Sequence, residues 1–132
     1  MNHPLQIAEQ QPFSKHLGFK LISAGDDRAI VELPYRSFLG DDRIHGGAIS
    51  ALVDTAATCA FWSDPNANAK SRGATVGFSI SFLKMSPGST LRAHATVRRR
   101  GGAICFGDVS VTDGDGDEVA IANVTYKLKI NN

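Results

Sequence analysis

The sequence predicts an α+β fold: one long, buried helix beside an antiparallel sheet of about six strands that curls round it. Three observations carry this. Residues 44–62 place Ile49, Leu52, Val53, Ala56 and Ala60 on a helical rhythm, with small or apolar residues over most of the remaining surface. A helix apolar nearly all round is a buried one. Beyond it, residues 75–84 alternate Val76, Phe78, Ile80 and Phe82 with Thr75, Gly77, Ser79 and Ser81, the period of a strand. The later strand candidates are joined by short turn signals, Gly101-Gly102 and Asp113-Gly114-Asp115-Gly116, which call for antiparallel neighbours.

In chain order, residues 1–11 are expected to be loose or weakly helical. Residues 12–16 form a short helix with Pro12 early and Gly18 beyond its end. Residues 19–22 and 29–33 make a hairpin about Gly25-Asp26-Asp27, and Pro34 ends it. A loop with Gly40-Asp41-Asp42 leads into the long helix, and the polar residues 64–73 leave it. Strands follow at residues 75–84, 90–98, 104–112 and 118–130. The turn between the first two is Ser86-Pro87-Gly88, and Gly107 marks a bulge in the third. Joined by turns, these four should form one meander in sequence order. The helix exceeds what one small sheet covers, so a second subunit is expected to help bury it.

A chain of 132 residues is read as one domain spanning 1–132. A net charge of +1 gives no global argument for nucleic acid or a membrane surface. No apolar run of about 18 residues occurs, and no basic segment leads into an apolar one, so a cytoplasmic protein without membrane insertion is expected. Cys59 and Cys105 lie in apolar stretches and read as buried core thiols rather than a disulfide. The Asp-Gly repeat at 113–116 looks like a calcium loop, but the glutamate that closes such a loop is absent, so turn chemistry is expected.

One feature of the helix is out of place. Asp54 is a carboxylate on a buried helix, and with Ser50 and Thr58 it lines one narrow polar stripe. The helix opens on His45-Gly46-Gly47, whose backbone N–H groups and positive dipole end suit a developing negative charge.

The run HGGAISALVDTAA, followed by the strand TVGFSISFLK, resembles the hotdog-fold acyl-CoA thioesterases, nearest to the phenylacetate-degradation (PaaI-like) subgroup. The likeness covers about residues 12–130. It implies an α+β hotdog fold, a helix wrapped by a curved sheet. It also implies pairing of two subunits through the strand at about 73–84, as a homodimer or a dimer of dimers. The implied chemistry is hydrolysis of an acyl-CoA to a free acid and coenzyme A, with no metal and no other cofactor. By the same resemblance, the Gly46 N–H polarises the thioester carbonyl and Gly47 permits the geometry. Asp54 of the opposite subunit attacks as nucleophile or activates water as general base. His45 orients the loop or bonds a backbone group or the substrate, and Thr75 positions the water or the carboxylate.

Substrate contacts are expected from Gly47, Ser50 and Leu39, the last standing where some members carry Asn or Gln. The coenzyme A phosphates need cations, for which Arg98, Arg100 and Lys84 are candidates. The acyl pocket is expected to be lined by helix residues and the 35–39 loop, with Leu39, Phe61 and Trp62 favouring an apolar or aryl chain. Two alternatives stand beside this reading: a hotdog hydratase or dehydratase, which uses a catalytic histidine, and a non-catalytic acyl-CoA-binding module.

Overall fold

A computed structural model describes residues 3–85 and 87–130. Met1, Asn2, Asn131 and Asn132 lie outside the described residues, as does Ser86 of the expected Ser-Pro-Gly turn. A π-helical turn at Gln6–Gln10 leads into α1 (Pro12–Leu17). The hairpin β1 (Lys20–Gly25) and β2 (Arg28–Leu33) follows, then a 3-10 turn at Ser37–Leu39 and the long helix α2 (Gly46–Phe61). β3 (Arg72–Phe82), β4 (Leu91–Arg100), β5 (Ile104–Thr112) and β6 (Glu118–Lys129) complete the chain. Of the two expectations for residues 1–11, loose or weakly helical, the described part follows the second and is anchored. Ile7 and Ala8 are buried, and the Ser14 hydroxyl donates to the Ile7 carbonyl at 2.7 Å.

All six strands form one antiparallel sheet in the order β1-β2-β4-β5-β6-β3, with α2 packed against one face. Leu52, Val53, Ala56 and Ala60 of the helix meet Val31, Leu33, Leu91, Ala93, Val111 and Val124 of the sheet in a single core. The hairpin turn is of the type in which both central residues take positive φ, here Asp26 at 53° and Asp27 at 61°. Among the described residues no helix is long and apolar enough to cross a membrane.

The expected four-strand meander is corrected. Only β4, β5 and β6 run in sequence order; β3 lies at the far edge, paired with β6, while β4 pairs with β2. Residues 83–90 separate β3 from β4. Eight extended residues reach about 26 Å, and three inter-strand steps need about 14 Å, so the connection crosses easily. The turn signal at Pro87-Gly88 was local and could not specify a neighbour.

The one expected bulge is relocated, and another is added. The register break expected at Gly107 lies on the facing strand, between Val97 and Arg99, so the extra residue is Arg98. Gly107 is needed for another reason: a Cβ there would stand 3.0 Å from the Phe61 ring and 3.1 Å from the Thr96 carbonyl. A second break falls between Thr75 and Gly77. It makes Val76 the extra residue, so Thr75 pairs with Tyr126 while Phe78, Ile80 and Phe82 pair with Val124, Ala122 and Ala120. These β6 partners are all buried. Thr75 therefore shares the helix-facing side with Phe78, Ile80 and Phe82 rather than lying opposite them.

Candidate functional site

The site starts from the loop before α2. Gly40 has φ +146°, and a Cβ there would sit 1.8 Å from the Arg43 carbonyl oxygen, so only glycine permits this turn. The loop is closed by the His45 N–H donating to the Leu39 carbonyl at 2.7 Å, and the Tyr35 hydroxyl donates to the Gly40 carbonyl at 3.0 Å. Leu39 is buried beneath it. His45 thereby becomes the N-cap of α2.

The His45 ring Nδ1 accepts the Gly47 N–H at 2.8 Å. Of the two glycine donors expected to be free, Gly47 is thus already engaged. The N–H groups of Ala48 and Ile49 donate to the His45 carbonyl at 3.0 and 3.2 Å. The Gly46 N–H is left without a partner among the described residues, at the positive end of the helix. A neutral ring that accepts at Nδ1 carries its proton on Nε2. The Ser50 hydroxyl turns back on its own helix and donates to the Gly46 carbonyl at 2.8 Å.

Two concavities flank this helix start. One, of about 540 Å³, is lined by Arg43, Ile44, Gly46, Ile49, Phe82 and Lys84 among others. The other, of about 300 Å³, lies between α1 and the 3-10 turn, with Phe13, Leu17, Phe38 and Leu39 as walls and His45 and Gly47 at its base.

Asp54 lies two turns further along α2, half-buried. The Thr75 hydroxyl donates to Asp54 Oδ1 at 2.7 Å, so the bulge in β3 is what brings this threonine onto the carboxylate. Oδ2 has no hydrogen-bond partner among the described residues. Nearby, the Trp62 indole N–H donates to the Tyr126 hydroxyl at 2.7 Å, and the Phe61 ring stacks on Tyr126 with centroids 5.0 Å apart. Burial pushes the Tyr126 phenol up, and the Asp54 charge adds to that. Phe61 and Trp62 are buried at the C-terminal end of α2 and line neither concavity at its start, contrary to the acyl-pocket expectation.

The basic candidates are scattered. Arg98 is exposed on the sheet face away from α2, with its Nε 3.3 Å from Asp108. Arg100 closes the other end of α2: it donates to Asp27 at 2.9 Å and to the Phe61 and Ala60 carbonyls at 3.1 and 3.4 Å. Lys84 does reach the groove at the helix start, but it is held by Asp117 at 2.6 Å and Asp113 at 2.9 Å. Those two hydrogen bonds keep its pKa well above the ordinary lysine value. The Asp-Gly repeat is the β5–β6 turn, with Asp113 Oδ1 accepting the N–H groups of Asp115 and Asp117. Sequence reasoning missed Arg43, which lines the groove at the helix start, and Phe13, which walls the smaller pocket; Phe38 of that wall lies in the 35–39 loop expected there. Adjacency to His45-Gly46 was the signal available for Arg43.

Within one chain Gly46 and Asp54 stand apart. A helix rises about 1.5 Å per residue, so they are separated by about 12 Å along the axis.

Comparison with known proteins gives a consistent picture. The sequence profile of the thioesterase superfamily matches residues 42–120, which hold the helix and the edge strand. A Halobacterium salinarum protein with a provisional esterase designation is 27% identical over 123 residues, 85% of this chain and 81% of its own. Among solved structures, the E. coli PaaI protein from the phenylacetic acid degradation operon superposes with a TM-score of 0.80 at 25% identity. That match covers 89% of this chain and 83% of PaaI. A conserved protein of Pseudomonas aeruginosa superposes with a TM-score of 0.84 at 24% identity, over 93% of this chain and 97% of its own, and shares the fold.

Proposed function

The chain belongs to the thioesterase superfamily, and on that premise we propose that it is an acyl-CoA thioesterase whose active site is shared by two copies of the chain. The observation that carries this reading is the separation of Gly46 from Asp54 in one chain, combined with their common neighbour, the edge strand β3. A Cβ at Gly46 would stand 3.2 Å from the Phe82 ring, and Asp54 is bonded to Thr75. Phe82 and Thr75 lie towards opposite ends of this strand. Its outer edge has no strand beside it in the sheet, and Val76 and Phe82 are 61% and 51% exposed. Long exposed edges of this kind pair with other chains. Antiparallel pairing of two β3 strands about a two-fold axis near Phe78 and Ser79 sets Thr75 of one copy opposite Phe82 of the other. The same axis brings each Asp54 towards the other copy's Gly46.

The chemistry then follows. The thioester carbonyl oxygen accepts the free Gly46 N–H, and the helix dipole favours the negative charge that grows there. One such donor contributes roughly 3 kcal/mol to the transition state. Asp54 from the other copy either attacks the carbonyl carbon through Oδ2, giving an anhydride that water cleaves, or takes a proton from the water that attacks. In both routes the C–S bond breaks, coenzyme A leaves as the thiolate and is protonated, and the acid is released. Thr75, by donating to Oδ1, fixes the carboxylate with Oδ2 free. A hydratase or dehydratase would need the histidine as base, and His45 Nδ1 is occupied by the Gly47 N–H.

The test is Asp54→Asn assayed on a panel of acyl-CoA substrates. Turnover should fall by about 10³-fold with the fold and the dimer intact. Near-wild-type hydrolysis by this variant would overturn the mechanism, and a wild-type protein that binds acyl-CoA without cleaving it would make it a binding module.

A further inference from the structure

The two concavities at the start of α2 differ in chemistry. The larger carries Arg43 and Lys84, and the smaller has no lysine or arginine in its lining. Gly46 lines the first and Gly47 the second, so a carbonyl held on the Gly46 N–H sits at their junction. An acyl-CoA is divided in the same way, into an anionic arm and an apolar acyl group, with the thioester between.

We propose that the acyl group occupies the pocket between α1 and the Ser37–Leu39 turn, and that Phe13 and Phe38 select an apolar acyl group about the size of one aromatic ring. The coenzyme A arm leaves along the groove of Arg43 and Phe82. This assignment rests on the thioesterase reading above.

Three further observations support it. Phe13 and Phe38 are 62% and 55% exposed and line the same pocket, so both rings present apolar surface to whatever enters it. Phe38 is braced rather than loose: the His16 ring is 5.8 Å from it and the Arg36 guanidinium lies 5.7 Å from its centroid. Leu17 and Leu39, both buried, make an apolar floor. Arg43 contacts the Met85 sulfur at 3.3 Å and forms no ion pair among the described residues, so it is the cation available to a phosphate. Lys84, by contrast, is already neutralised by two carboxylates.

Size sets the substrate class. About 150 Å³ of apolar space suffices for a benzene ring. A pocket of about 300 Å³ therefore admits a ring with its linking carbons, or a chain of similar volume.

The experiment compares kcat/KM for benzoyl-CoA and acetyl-CoA across variants, alongside nuclear Overhauser contacts of benzoyl-CoA bound to Asp54→Asn. The assignment predicts that Phe38→Ala and Phe13→Ala each lower the benzoyl-to-acetyl ratio by about tenfold. Phe106→Ala, on the opposite sheet face, should change neither rate. The benzoyl ring protons should show contacts to Phe13 and Phe38. Hydrolysis combined with ring contacts to Phe82, Leu83 and Met85, or an unchanged ratio in both variants, overturns the pocket and leaves the thioesterase reading standing. Contacts to Phe13 and Phe38 without any hydrolysis by the wild-type protein support the pocket and overturn that reading. Absence of both overturns the two together.

Discussion

Replacing Arg100 with alanine separates two roles that the sequence left open, since this residue was expected to meet coenzyme A phosphates. In the structure its guanidinium lies at the C-terminal end of α2, with the side chain 23% exposed. It donates to the Phe61 carbonyl at 3.1 Å and, more weakly, to the Ala60 carbonyl at 3.4 Å. Deleting it leaves carbonyls of the last turn without that donor and removes a cation from the negative end of the helix. A hydrogen bond from a charged group contributes about 1.5–3 kcal/mol, and the dipole term adds a few tenths. Against this, Nη1 is buried without a hydrogen bond, a cost that its 3.6 Å ion pair with the largely buried Asp64 offsets, and the Asp27 partner is half exposed, so the carbonyl contacts dominate the sum. The net destabilisation is about 2 kcal/mol. With 132 residues and about 2.1 cal/mol/K per residue, the unfolding entropy is about 0.28 kcal/mol/K, so Tm should fall by about 7 °C. The assay is a thermal melt beside KM for an acyl-CoA at two salt concentrations. A fall in Tm with KM and its salt dependence unchanged is expected. A raised KM with a weaker salt dependence and an unmoved Tm would refute the capping argument.

Two further perturbations follow from the same geometry. Gly40→Ala forces a Cβ to within 1.8 Å of the Arg43 carbonyl at φ +146°, so the variant should lose at least about 3 kcal/mol, seen as a large drop in Tm together with lost activity; an unchanged melt would mean the loop closes differently. Burial pushes the Cys59 thiol up to about 12, against 9.0 for a free cysteine thiol. Between these values the unfolded chain has released a proton that the folded chain retains, so stability should decline as pH rises above about 9, by about 1.4 kcal/mol per pH unit at most. In Cys59→Ala that alkaline slope should flatten; an identical slope would locate the titration elsewhere.

Local order was more legible in the sequence than adjacency. The periodicity of Ile49, Leu52, Val53, Ala56 and Ala60 located α2, and the Asp26-Asp27 pair located a hairpin turn, because both signals are written in residues a few positions apart. Strand order was not, because residues 83–90 are long enough to reach any strand of the sheet. The bulge at Val76 was hidden for a related reason: the alternation of Val76 with Thr75 and Gly77 is unbroken, and only pairing with β6 reveals the extra residue. That bulge puts Thr75 on Asp54, a contact that the resemblance implied and the strand pattern alone would have denied. Strand alternation put Arg98 and Arg100 on one face, yet the bulge at Arg98 sends the two to separate tasks.

The central claim is that each catalytic centre takes its acid from one copy and its oxyanion donor from another. It is tested by mixing two inactive variants in one dimer. Asp54→Asn removes the acid. Gly46→Pro removes the N–H donor at the first helical position, where proline suits the backbone and His45 already has the extended ψ of 134° that a following proline requires; the Phe82 ring, 3.2 Å from the new Cβ, has to shift by a few tenths of an ångström. Each homodimer should be inactive. When the two chains are co-expressed, half of the dimers are mixed, and each mixed dimer holds one site with both groups intact and one with neither. Activity should then return to about a quarter of the wild-type value. If it stays at the sum of the two residual activities, both groups act within the same chain and the shared site is wrong.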